Sequence, residues 1–390
     1  MFKYINKKNI ATFFLVLMCV QYLPWEGYGV SYIKFTAMCL APIIWLLTSS
    51  KISKAFVWAG LYFVAILFSG LFNLHSFRLS TVGYLLSFIF MFIMYYNLVW
   101  VEQIFSLDSF IRLLKKLILA YVICLLMQQA VHLVGIESFP LINTYSSYGR
   151  GFLAGNSLAI EPSHSARILT IAFLSLLRMY EVKWGKENVN LKAIYADAKW
   201  VLLGFLWSML TMGSGTAFVG LGILSLYFIK RQYVFTVVPL LVILYFAIPY
   251  IEFEPLQRAK VTLEATMTMD ADAVIAADGS ASVRIVPIIN TLTELDLLDS
   301  KTWLGHGIDA GATGESMKTI GGIGEYGLLS YICALTLIFT CIIRRFFSLE
   351  TLLAFALVGL TINNFAYVWG FYMILSTTNY FQNNHNKLNA

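Results

Sequence analysis

Residues 149–174 read GRGFLAGNSLAIEPSHSARILTIAFL. Arg150, Glu161, His164 and Arg167 crowd the entrance of a run that is otherwise oily enough to enter a bilayer. Ionisable groups are costly in hydrocarbon, so those found in a membrane segment mark a function or a specific pairing. Near the interface the cost is smaller, which leaves two readings open. In the bland one, Glu161 pairs with Arg167 or Arg150 and anchors the loop. AIEPS also reads as an ordinary helix start, with Pro162 early in the helix and Ser163 or Ser165 near the cap.

Outward from this stretch the oil is general. Of 390 residues, 59% are hydrophobic and 12% charged, against about 25% charged in soluble domains. Mean hydropathy is +0.74. Runs close to the roughly 20 residues a helix needs to cross a bilayer begin around Ile10, Tyr32, Ala55, Ser80, Leu117, Ala166, Trp200, Thr216, Tyr233 and Gly321. The expectation is an all-α, polytopic integral membrane protein, a single membrane domain over 1–390 with about 11–12 transmembrane helices. The start, MFKYINKKNIATFFLVLMCVQYLP, has the basic and apolar regions of a signal peptide but no small-residue cleavage site, so it reads as a retained first helix. Cys19, Cys39, Cys124, Cys333 and Cys341 all fall in apolar runs, which predicts no disulfide framework. Their spacing fits no zinc site.

The net charge is +6, and its distribution orients the chain. Lys3, Lys7 and Lys8 precede the first run, Lys51 and Lys54 follow the second, and Arg112, Lys115 and Lys116 follow the fourth. Further basic groups lie in 178–199, at Lys230 and Arg231, and at Arg344 and Arg345. They occupy every second connection, as cytoplasmic loops do. The alternate short connections carry little more than Lys34, Arg78 and Arg150. The expected topology therefore has the N-terminus in the cytoplasm and segment 149–165 on the outer face of the membrane.

Three further segments stand out. EQIFSLDSFIRLLKK, 102–116, aligns Ile104, Leu107, Ile111 and Leu114 and is expected to lie flat on the cytoplasmic leaflet as an amphipathic helix. Residues 252–318 are expected to form one large outer loop, with eleven Asp or Glu against five Lys or Arg. Within it LQRAKVTLEATMTM and SASVRIVPIINTLTELDLL show helical spacing, the second interrupted by a proline. The final apolar stretch is either one long helix or two broken at Asn363 and Asn364. STVGYLLSF (80–88) and TMGSGTAF (211–218) look like potassium-filter sequences, but the first lacks the closing glycine and the second has no pore helix before it. GTAFVGLG reads better as small residues permitting close helix contact.

From Arg284 onward the chain reads SASVRIVPIINTLTELDLLDSKTWLGHGIDAG and then GGIGEYGLLSYI. An arginine opens a helix, a WLGHG turn follows, and E-x-G-L-L starts an apolar run. Together with RGF…GNSLAIEPSHSA, this order over roughly 145–335 resembles the O-antigen polymerase (Wzy) family within the O-antigen polymerase and ligase superfamily.

The resemblance implies a glycosyltransferase that joins undecaprenyl-pyrophosphate-linked oligosaccharides, donor and acceptor alike, at the outer face of the membrane. It uses no nucleotide sugar or other cofactor and calls for no metal. Arg150 and Arg284 match the family's two arginines and are expected to hold the pyrophosphate, which suits a planar, permanently charged fork. Glu161 matches the acid of the EPS signature and is expected to accept the acceptor hydroxyl's proton or orient the sugar. Arg167, His164, His306 and Arg258 complete the candidate substrate-binding set. Trp25, Tyr145, Tyr148 and Trp303 are candidates for stacking on sugars. Ligases carry a histidine about nine residues before the Glu of E-x-G; here that position is Ser316, which favours polymerase over ligase. Among other classes, a lipid-linked oligosaccharide flippase fits less well, because charge is scarce in mid-span. Membrane lipids and a chain-length regulator protein are the further partners expected; nucleic acid is not.

Overall fold

The computed structural model describes residues 6–21, 31–48, 51–135, 153–229, 246, 254–277, 279–310, 318–362 and 365–388. Every regular element among them is helical. The helices are α1 (Lys7–Cys19), α2 (Tyr32–Thr48), α3 (Lys54–Phe72), α4 (Leu79–Tyr96), α5 (Leu107–Leu133), α6 (Pro162–Trp184), α7 (Leu191–Thr211) and α8 (Gly215–Ser225). Then follow α9 (Glu254–Met267), α10 (Ala271–Ala277), α11 (Gly279–Thr293), α12 (Ser300–Leu304), α13 (Ile323–Leu337), α14 (Leu349–Val358) and α15 (Ala366–Leu388). Among the described residues, four helical stretches are long and apolar enough to cross a membrane: Lys54–Phe72, Leu79–Val101, Leu191–Thr211 and Ile320–Ile342. α5, α6 and α15 have the length but carry charged or amide-rich turns, such as Arg112, Lys115 and Lys116 in α5.

The chain forms two compact units, one of Met1–Val64, Leu79–Leu224 and Cys333–Ala390, the other of Ala65–Arg78 and Ser225–Ile332. In the first, α6 is the central rod, packed by α5, α7, α14 and α15. Between Ser165 and Tyr180 only Arg167 and Arg178 of α6 escape full burial. Helices approach closely where side chains are small, the packing mode available when lipid is as apolar as the partner helix. A Cβ on Gly220, in the GTAFVGLG run, would lie 2.4 Å from Thr170 Oγ1 of α6. Gly204 meets Val122 in the same way, and Gly370 meets the Met18 and Cys19 backbone. Phe173 and Phe205 stack at 4.1 Å and 3°.

Within segment 102–116, expected as an amphipathic helix, the helix begins at Leu107. A π-turn (Asn97–Val101) ends the preceding span, and α5 starts only at Leu107, where the Ser106 hydroxyl accepts from Ser109 N. From there α5 runs without interruption for 27 residues, burying Phe110, Ile111 and Leu114. No helix breaker separates the amphipathic turns from the apolar ones, so they continue one another. In α7, Ala198 (φ −143°, ψ 44°) interrupts the helix just before the apolar run at Trp200. The last stretch forms two helices, α14 and α15, and Gly359 (φ +67°) closes the first. α11 includes Pro287, so this helix starts ahead of its proline.

The second unit contains the polar segment 252–318 as far as it is described. α9, α10 and α11 pack in sequence. Asn290 Nδ2 donates to Lys318 O (3.1 Å), and Ile320 N to Thr291 Oγ1 (2.9 Å), which ties α11 to the entrance of Ile320–Ile342.

Candidate functional site

Glu161 is the N-cap of α6, with extended backbone (φ −130°, ψ 150°), and Pro162 takes the first helical position that its fixed φ suits. The cap is therefore the Glu161 carbonyl, accepting from His164 N (3.1 Å) and Ser165 N (3.3 Å), and not a serine hydroxyl. The carboxylate points away to the exposed side, where its Oε2 accepts from Ser163 Oγ (3.2 Å). It makes no ion pair with Arg167 or any other described cation, which removes the anchoring salt bridge to Arg167 as an explanation for its presence.

Spacing of three brings Glu161, His164 and Arg167 to neighbouring positions on one side of α6. Two chain-distant residues complete the cluster. Gln21 Oε1 accepts from His164 Nδ1 at 2.9 Å, which fixes the proton on that nitrogen. The Tyr367 ring stacks on His164 (4.1 Å, 23°), and the Arg167 guanidinium lies 5.1 Å from the same ring's centre. Arg167 Nη1 also donates to the Tyr367 hydroxyl. Arg167 is thus oriented by an aromatic ring and a hydroxyl, and it forms no ion pair among the described residues.

The loop before α6 is held from below. Asn156 and Ser157 are buried, with Ser157 at φ +52°. Gln128 of α5 grips both: its Nε2 donates to Asn156 Oδ1 (2.9 Å) and its Oε1 accepts from Ser157 N (2.7 Å). Ser157 Oγ donates to Tyr121 O (2.6 Å), and Asn156 Nδ2 to Ala159 O (2.7 Å). Buried amides satisfied in this way specify one loop conformation. The sequence reading missed Gln21, Gln128, Asn156 and Tyr367. GNS before EPS was the only signal within reach; Tyr367 lies in an apolar run with nothing to distinguish it.

In the second unit, WLGHG and EYG meet backbone to backbone. His306 N donates to Gly324 O (2.9 Å) and Gly307 N to Glu325 O (3.0 Å). Ser69 Oγ donates to Glu325 O (3.2 Å), Asn73 Nδ2 to Gly305 O (3.1 Å) and Ser76 Oγ to His306 O (3.2 Å). A Cβ on Gly305 would lie 2.2 Å from Glu325 O, and one on Gly327 would lie 2.2 Å from Trp303 O. Two motifs some twenty residues apart thus form one glycine-faced joint. His306 Nδ1 donates to Gly324 O (2.9 Å), so its outer nitrogen is the acceptor when the ring is neutral. Arg78 Nε lies 3.7 Å from Asp309 Oδ2 beside this joint. Arg284 sits half-buried on α11.

Arg150, like Trp25, Tyr145, Tyr148 and Ser316, lies outside the described residues, and of Arg258 only its backbone, in α9, is described. Among the described residues no three His, Cys, Asp or Glu side chains converge as metal ligands. No protein-family model, curated protein or solved structure matches the chain.

Proposed function

We propose that this chain is a multi-pass membrane glycosyltransferase of the O-antigen polymerase kind, working at the outer face of a bacterial inner membrane. Its substrates are repeat units carried on undecaprenyl pyrophosphate. The acceptor's terminal hydroxyl attacks the anomeric carbon of the growing chain. The bond from that carbon to the diphosphate oxygen breaks, the hydroxyl proton passes to the Glu161 carboxylate, and the lipid diphosphate leaves as an anion. Arg150 and Arg284 hold that anion, with Arg167 as a third cation and His164, His306 and Arg258 as further contacts to substrate. Preorganised cations aimed at developing charge lower such a barrier, and a positioned base contributes about 10²–10⁴-fold.

One observation carries this reading. A carboxylate and a guanidinium stand on one side of α6 without forming an ion pair, the acid exposed and the base held by an aromatic ring. This arrangement leaves the acid able to take a proton and the cation able to meet an anion. Eleven or twelve spans and the inside-positive orientation belong to the same proposal.

Surface polysaccharide from a strain lacking this gene, run on a gel, tests it. The deletion is expected to leave glycan carrying one repeat unit. Wild type should restore the ladder, and Glu161→Gln and Arg284→Ala should not, at equal membrane abundance. Full-length polymer that stays on its lipid carrier would assign a ligase instead, and an unchanged ladder would remove both.

A further inference from the structure

α6 stops at Gly185 (φ +84°), and Lys186–Asn188 form a turn beyond it. This end lies roughly 33 Å along the helix from Pro162, at 1.5 Å per residue. Here the first unit lines an open cleft of about 390 Å³, within the range of small-ligand sites.

Its floor is an ion-pair set. Arg178 donates from Nε to Glu350 Oε1 (2.7 Å), from Nη2 to Glu350 Oε2 (3.2 Å) and from Nη1 to both Glu181 oxygens (3.0 and 2.9 Å). The three side chains are only 16%, 10% and 13% exposed. Both carboxylates lining the cavity are therefore engaged by one guanidinium. Three more cations line it: Lys186, Arg344 and Arg345, all exposed and in no ion pair among the described residues. Four cations against two carboxylates leave the lining with a net charge of +2. Ser348, the N-cap of α14, adds a helix start whose dipole favours an anion. The remaining wall includes Ile342, Leu375 and Phe347, which are apolar.

Cations that served only to orient the chain would need no cavity. These border a concave site with a rigid charged floor and an apolar wall, the combination that receives the head of an anionic amphiphile. We propose that this cavity binds a net-anionic phosphate ester, with Lys186, Arg344 and Arg345 as its ligands and the Arg178–Glu181–Glu350 set as its fixed floor. The phosphate is presented by an anionic phospholipid or arrives free from solution. This site is separate from the Glu161 cluster and does not depend on the function proposed for it.

The test uses the purified full chain and the variant Lys186→Gln/Arg344→Gln/Arg345→Gln. All three positions are exposed, so the fold should survive, and circular dichroism checks that it does. Native mass spectrometry compares retained phosphatidylglycerol with phosphatidylcholine, and a thermal-shift series adds inorganic phosphate. At least ten-fold preference for phosphatidylglycerol, lost in the variant, supports the site with a lipid as source. A phosphate-dependent rise in Tm for wild type alone supports it with free phosphate as source. If wild type shows neither preference nor shift, or the variant matches wild type in both, the site does not exist. Should the triple variant misfold, Arg344→Gln/Arg345→Gln is read by the same criteria.

Discussion

At Gly327 the backbone sits at φ +84° and ψ 159°, and at Gly305 at φ +76° and ψ 177°. This region is open essentially to glycine alone, at a cost of about 1–3 kcal/mol for other residues. Each position also faces a carbonyl oxygen 2.2 Å from where a Cβ would stand. Gly327→Ala is therefore expected to destabilise by at least about 2 kcal/mol, read as a lower Tm of the detergent-purified protein. Gly222 lies inside α8 with nothing within 4 Å of an added Cβ, and Gly222→Ala should not lower Tm but raise it slightly through helix propensity. Arg178 behaves differently. Replacing it with Met strands two largely buried carboxylates, a loss of about 3–5 kcal/mol. Adding Glu181→Gln and Glu350→Gln to the same chain should recover most of that Tm, because the uncompensated charge is gone. If the triple variant is no better than Arg178→Met, packing rather than charge holds this end.

Element boundaries show where the sequence was and was not readable. The acidic segment's helices were legible from apolar spacing: α9 covers most of the first stretch, whereas α11 starts ahead of Arg284 and stops at Thr293, short of the expected run to Leu298. The extent of α5 was not. Amphipathic and apolar turns differ in composition but not in backbone preference, and periodicity alone sets no boundary between them. The Ser106 cap decides where the helix begins, so Ser106→Ala should cost about 1 kcal/mol, measured as a drop in thermal stability. Ser106→Thr keeps a capping hydroxyl and should lose much less. The candidate site divides in the same manner. Glu161, His164 and Arg167 were visible because one helix spaces them by three. Gln21 and Tyr367 were not, because each meets α6 from a distant part of the chain, and contacts of that kind leave no local pattern. His306 was legible as a glycine-flanked turn residue; that its partner would be the Gly324 carbonyl was not.

For the molecule as a whole, the distribution of basic residues makes a claim that labelling can test. Under the inside-positive pattern, the two ends of α6 belong on opposite sides of the membrane. A cysteine placed as Glu161→Cys should react with an impermeant maleimide in intact spheroplasts. Lys186→Cys should react only after permeabilisation. Both positions are exposed, so access to reagent is limited by the bilayer and not by packing. Reaction of both from the same side would overturn the topology and, with it, the outer-face placement of Glu161.

α6 has a further property, that of a keyed shaft. Its upper key is the contact of His164 and Arg167 with Tyr367, and its lower key is the grip of Arg178 on Glu350. Each added residue turns a helix by about 100° and lengthens it by about 1.5 Å. One alanine inserted after Ala172 would leave either key able to seat only by unseating the other. Drift in this sequence between residues 167 and 178 is thus limited in side-chain size by the buried packing and closed altogether to insertion and deletion.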